Sequence, residues 1–426
     1  MTGQQTLIAR AALGVFAGAV SIAACSSASL RRLPGPRFDR LAILAFFLSR
    51  FGFFGLVFFV LRIAPRGDIP GYYWPEANSV LHDLLPYRDF VTSYAPLHPY
   101  LDAAAIRIWH SPLAIIFLAI LAEAALLPLW LRFGRAFLSE TEIRTGTLLY
   151  LSSAASLQFV AIDGQDTVIV GVFLALSFFF LVRRKEFLSG ASLGAAVATI
   201  KFLPLLYVPA FFLSLPKRWR WVAGMAIPIL AVYGAFAAMR LPILLPLQRE
   251  GNIRGAGNLP YLIESLLGVT FPSRLWDVLL LVILAILFFV LARAAHGASP
   301  AVRLRVMTFS LAALTLALLL FSKKSWSSYL MLTLFPICLL IDVRRRLHLI
   351  GFALVGVIAV VEHSYWASIL AQVAAPQFHH ELLSARPASL IFLLIELLLL
   401  VAYAWLFALS VQRIRTVAND SSASTD

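Results

Sequence analysis

Apolar runs of about 18–25 residues, the length a helix needs to cross a bilayer, recur along the whole chain and constrain its fold more than any other feature. In hydrocarbon every backbone polar group must be paired within the protein, which leaves helices as the natural reading of such runs. Of the 426 residues, 61% are hydrophobic and 13% are charged, whereas soluble domains carry about 25% charged residues. The fold class is therefore all-α, polytopic and membrane-embedded. Spans are expected near 41–62, 110–132, 144–162, 166–183, 219–240, 276–294, 303–321, 326–342, 347–366 and 388–411.

Two segments need separate treatment. Residues 1–40 contain an apolar stretch ending Ile22-Ala23-Ala24-Cys25, which resembles a lipoprotein cleavage site. Lipidation of Cys25 would leave Arg31, Arg32, Arg37 and Arg40 outside, against the positive-inside rule, so an uncleaved extra helix or a weakly ordered N-terminus is expected. Residues 187–213 are flanked on both sides by basic clusters and interrupted by Lys201 and Pro204. A broken helix pair that enters and returns fits those flanks better than one crossing. The total is a bundle of about 11–12 transmembrane helices, forming one domain over 41–411, with residues 412–426 as a cytoplasmic, disordered tail.

The net charge of +14 does not indicate nucleic acid, because the basic residues cluster between apolar runs, as in cytoplasmic loops beside anionic lipid. That bookkeeping puts 31–40, 132–144, 183–186, 215–220, 293–305, 342–348 and the tail inside. It puts 63–109, 163–166, 241–275, 322–328 and 364–387 outside. The two cysteines, Cys25 and Cys338, lie in apolar runs without partners at metal spacing, which argues against zinc and disulfides.

The exterior segments hold the chemistry. Arg66–Tyr100 carries Asp68, Glu76, Asp83 and Asp89 among five tyrosines, two histidines and five prolines. Within it, Ala77–Leu85 reads as a short amphipathic helix in the membrane interface. Asp163-Gly164-Gln165-Asp166 packs two carboxylates and an amide into one tight turn. Ser322–Tyr329 places Lys323 and Lys324 on the side that should be poor in positive charge, which points to an anionic ligand such as a phosphate. The 241–275 loop offers Arg254 and a second amphipathic stretch, Tyr261–Leu267. Lys201, within an apolar run, needs a partner: Asp163, Asp166 or a phosphate, or else a purely structural role.

At these residues the chain resembles the GT-C superfamily of membrane glycosyltransferases, and within it glycosyltransferase family 87, over roughly residues 41–340. The matching elements are Asp68 after the first core span, Tyr72-Tyr73, Pro86-Tyr87-Arg88-Asp89, and Tyr94-Ala95-Pro96-Leu97. They continue with Gly164-Gln165 and with the small-residue segment from Ser189-Gly190 through Gly194 to Lys201-Phe202-Leu203-Pro204. The chain departs at Thr167, where the family often has Asn, and after Ser325-Trp326, where histidines often follow but Ser327, Ser328 and Tyr329 stand here.

The resemblance implies a GT-C-like bundle and an inverting transfer of a sugar, mannose by family habit, from a polyprenyl-phosphate donor. The acceptor would be a hydroxyl of a glycolipid, glycan or protein on the exterior or periplasmic face of a bacterial inner membrane. Such a displacement needs one general base and donors for the departing phosphate. Asp68 is the expected base and Asp89 the runner-up. Lys323, Lys324 and Arg254 are phosphate candidates, and Gln165 and Asp166 are expected to bind sugar hydroxyls. Tyr72, Tyr73, Arg88, Tyr94, Lys201 and Trp326 complete the expected substrate-binding set. No cofactor or resident metal is expected, although a divalent cation is compatible with the chemistry. Two other classes fit the same sequence: a multi-pass transporter or flippase, for which Lys201 in a broken helix argues, and an inactive envelope-assembly scaffold.

Overall fold

The computed structural model describes residues 3–215 and 217–422, apart from the side chains of 420–422. All regular structure among them is helical, with one isolated bridge pairing Pro86 and Phe90. Eight helices are long and apolar enough to cross a membrane: Gly3–Ser26, Gly35–Val60, Leu113–Gly134, Arg218–Ala238, Ser273–Ala295, Pro300–Phe321, Arg346–Ser368 and Pro387–Asn419. Thr167–Val182 and Leu203–Ser214 are shorter apolar helices.

The sequence led to more long spans than this, and the difference lies where serine and proline interrupt the runs. The stretch expected as one span over 144–162 is two helices, Glu140–Leu151 and Ala154–Phe159. Ser152 turns its hydroxyl back onto the Leu148 carbonyl at the break, a local bond that competes with the helix ladder. The stretch expected over 326–342 is a tight turn of helix, Ser327–Leu332, followed by the short Leu334–Cys338. Residues 327–341 are all buried. Irregular backbone is tolerable there because protein, not lipid, surrounds it. The tail expected to be disordered from 412 onward continues the last helix to Ser422. Ile414 and Val417 are buried and extend that helix's packed face. Residues 423–426 lie outside the described region.

The chain divides into two units. One comprises residues 1–38, 139–156 and 252–426. Its centre is Pro300–Phe321, the most enclosed of the long helices, which packs against Ser273–Ala295 and Pro387–Ser422. The N-terminal segment forms a real helix here. It lies on Arg346–Ser368 through Gly14, whose absent side chain faces Val357, and Gly18, which faces Ala353. Small residues allow such close contact in lipid, where there is no hydrophobic force between helices.

The other unit comprises residues 39–138 and 157–251. Arg50 and Glu123 face each other at 3.6 Å in its interior, both fully buried. The expected break in 187–213 is present: Glu186–Thr199 stops, Lys201 and Phe202 leave the helix, and Leu203–Tyr207 leads into Val208–Ser214. Glu186–Thr199 crosses Arg218–Ala238 so tightly that a side chain at Gly190 or Gly194 would collide with the carbonyl of Trp221 or Met225. The glycines of this segment are therefore spent on backbone approach.

Candidate functional site

The second unit brings Asp68, Tyr73, Tyr94, Gln165, Asp166 and Lys201 together. After the first long helix, Gly67 turns the chain at φ +67°. Asp68 then starts a widened helical turn, Ile69–Tyr73, that runs into Trp74–Leu81. This helix begins earlier than the expected 77–85 segment and stops at His82, and its buried residues are Glu76 and Ala77. The shift follows from Pro75 in the first turn, a favourable position for proline, and from Asp83 at φ +61° beyond the last turn.

Asp68 meets Gln165 from 97 positions away: Nε2 of Gln165 donates to Oδ2 of Asp68 at 2.9 Å. Gly164 explains how. Its φ is +60°, and a Cβ there would lie 2.9 Å from Ile116 Cγ1 and 3.0 Å from Ile69 Cδ1. Only glycine lets the turn settle onto the element that begins at Asp68. The turn is also pinned from within. Gln165 N–H donates to Phe159 O at 2.8 Å, and Gln158 Nε2 donates to Asp163 Oδ2 at 2.9 Å.

Asp166 is the residue before Thr167–Val182, makes no side-chain capping bond, and receives Lys201 Nζ on Oδ1 at 2.8 Å. Asp166 is 2% exposed and the Lys201 side chain 19%. Asp166 is among the partners the sequence left open for Lys201. Two motifs cooperate in this. Ala95 N–H donates to Ile200 O at 3.0 Å and Leu97 N–H to Ala198 O at 3.3 Å. The Tyr-Ala-Pro-Leu stretch is thereby stitched to the helix end that releases Lys201. Tyr94 lies beneath the ammonium, 5.7 Å from ring centroid to Nζ, and Tyr73 packs edge-on against Tyr94.

Three site residues were missed at the sequence level. His98 stacks on Tyr94 with centroids 4.3 Å apart. Its Nε2 is 3.8 Å from Asp166 Oδ2 and its Nδ1 is 3.6 Å from Asp102 Oδ2. Burial pushes the His98 imidazole down to about 4, helped by Lys201 and opposed by Asp166. Burial likewise pushes the Asp102 carboxyl well above the ordinary range, with Asp166 and Glu76 adding to it. Burial thus favours the neutral forms of His98 and Asp102 beside the Lys201–Asp166 ion pair. Glu76 accepts from Thr92 Oγ1 at 2.7 Å. Its carboxyl is pushed up to about 7 by burial, against the pull of Thr92 and Arg249. His98 and Asp102 stand four residues apart on the helix His98–Ile108, a spacing that shares a face. That spacing was the available signal, hidden because this stretch read as loop.

Other expected residues lie elsewhere. Tyr72 is exposed. Asp89 takes Arg88 in a two-pronged pair at 2.7–3.1 Å and accepts from Leu85 N–H at 2.7 Å. These bonds hold its carboxyl below the usual range and so lower its basicity. In the first unit, Lys323 Nζ reaches Asp277 Oδ2 at 2.6 Å, and Lys324 follows it in the same loop. Arg254 is engaged by Glu264 and by Phe271 O. Trp326 packs on Trp366, with centroids 5.3 Å apart. The second amphipathic stretch is a helix, Leu259–Leu267, capped by Asn258 and stopped by Gly268 at φ +69°. Among the described residues, no three His, Cys, Asp or Glu side chains group as metal ligands. No family model, curated protein or solved structure matches the chain.

Proposed function

We propose that this membrane protein transfers a sugar from a polyprenyl-phosphate donor to an acceptor hydroxyl with inversion, and that Asp68 is the general base. The reading rests on the resemblance and on one observation above all: Asp68, at the start of the Ile69–Tyr73 turn, is aimed by an amide from the Gly164-Gln165 turn. An acceptor oxygen attacks the anomeric carbon as the bond from that carbon to the phosphate oxygen breaks. The acceptor's proton passes to Asp68, and polyprenyl phosphate departs with the electron pair. Gln165 holds the carboxylate's orientation, and the rings of Tyr73 and Tyr94 supply apolar and aromatic walls beside the Lys201–Asp166 pair. A phosphate leaving group needs no acid catalyst, so one well-held carboxylate is enough. Mannose as the sugar, and an exterior site in a bacterial inner membrane, follow from the resemblance and the charge of the loops.

The test is Asp68→Asn, assayed in membranes for glycosyl transfer from a prenyl-phosphate donor. Loss of a general base lowers the rate by roughly 10²–10⁴. Activity within about tenfold of the parent at equal protein level would remove Asp68 from that role. A second reading, a carrier of a polar or lipid-linked substrate, draws on the ion pair at the helix break, a feature of discontinuous transporter helices. Uptake or flipping in proteoliposomes with no covalent product would favour it.

A further inference from the structure

The first unit contains a second polar centre that the proposed transfer does not use. Glu362, on Arg346–Ser368, and Glu396, on Pro387–Ser422, are both buried within helices of membrane-spanning length. Gly257, at φ +77°, stands between them. Its N–H donates to Glu396 Oε1 at 3.2 Å, and a Cβ added to it would lie 3.2 Å from Glu362 Oε1. Ser327 Oγ donates to Glu362 Oε2 at 3.0 Å. Tyr403 lies two helical turns beyond Glu396, on the same face, and is fully buried within electrostatic reach of Glu362.

The centre has unmet demand. Glu396 Oε2 is buried without a hydrogen-bond partner among the described residues, and the Tyr403 hydroxyl, buried close to Ser327, makes no hydrogen bond of standard geometry. No Lys, Arg or His pairs with either carboxyl among those residues. Of the cations in the loops around Gly257 and Ser327, Arg254 pairs with Glu264 and Lys323 with Asp277. Two carboxyls in an apolar interior are neutralised either by protons or by positive charge held close by. The available donors are all oxygen: two carboxylates and two hydroxyls. That is the ligand preference of hard cations rather than of zinc or copper.

We propose that Glu362, Glu396, Ser327 and Tyr403 bind a small hard cation. A bound ion would tie two long helices to the loops around Gly257 and Ser327. Those loops already meet, through Gly255 N–H donating to Lys323 O at 3.0 Å. The inference stands apart from glycosyl transfer, and its test reads no enzymatic activity.

The full chain, purified in detergent, is melted in sodium, magnesium or calcium chloride against choline chloride at matched ionic strength, with tryptophan fluorescence as the signal. At least one of the three cations is expected to raise the midpoint by roughly 2 °C or more at saturation. Glu396→Gln should abolish the rise, and Tyr403→Phe should weaken apparent affinity roughly tenfold. Equal midpoints in all four salts would overturn the proposal, as would a rise that survives Glu396→Gln. A midpoint that responds to pH alone would also overturn it, by assigning the compensating charge to protons. If Glu396→Gln does not fold, the parent's salt series and the Tyr403→Phe affinity decide the matter.

Discussion

Removing Asp166 should cost less than removing Lys201, although each change breaks the same 2.8 Å ion pair. Breaking one side of a buried pair costs about 3–5 kcal/mol, mostly from the charge left behind. In Asp166→Asn the survivor is Lys201. Its side chain is 19% exposed, and it keeps the Tyr94 ring, an interaction of about 0.5–1 kcal/mol. The expected loss is therefore about 2–4 kcal/mol. In Lys201→Met the survivor is Asp166, only 2% exposed, beside a buried His98 whose neutral form burial favours. The expected loss is at the upper end, about 3–5 kcal/mol. The double replacement removes both charges and should recover much of this, giving a coupling energy of about 2 kcal/mol or more. Unfolding of the purified protein in mixed micelles, run as a double-mutant cycle, measures each term. A coupling below about 0.5 kcal/mol would mean that the pair carries no special weight. A Lys201→Met variant more stable than Asp166→Asn would refute the reasoning from burial.

Two further outcomes follow from the same unit. The Glu76 carboxyl rises from 4.5 to about 7 on folding, so the folded state holds its proton more tightly. The associated stability is complete below about pH 4.5 and is lost as pH rises through about 7, by an amount on the order of 3 kcal/mol. Glu76→Gln should flatten that part of the stability–pH curve, and an unchanged slope would rule Glu76 out as its source. Gly164→Ala places a methyl group 2.9 Å from Ile116 Cγ1 at a left-handed φ. A loss of about 2–4 kcal/mol in melting experiments is expected, and a loss under about 0.5 kcal/mol would show that the turn can shift freely.

The helical, membrane-embedded class was legible in the chain because hydropathy over one span is a local property, set by consecutive side chains. The break at Lys201–Pro204 was legible for the same reason: a charge and a proline in sequence say where a helix cannot continue. The Gly164-Gln165 turn and Asp68 also stood out as separate candidates. Span count was less legible. Ser152 and the buried 327–341 segment interrupt apolar runs in ways that are affordable only once other helices surround them. The 2.8 Å contact of Lys201 with Asp166 was beyond the sequence, since it depends on how the Gly164 turn packs on Ile69 and Ile116. His98, Asp102 and Glu76 became site residues only because packing enclosed them. Only the fold sets Glu362 and Glu396, from two different long helices, around Gly257. Composition and local pattern thus determined what kind of elements form and where they stop. The tertiary structure alone decided which charges meet, because that depends on close packing between segments far apart in the chain.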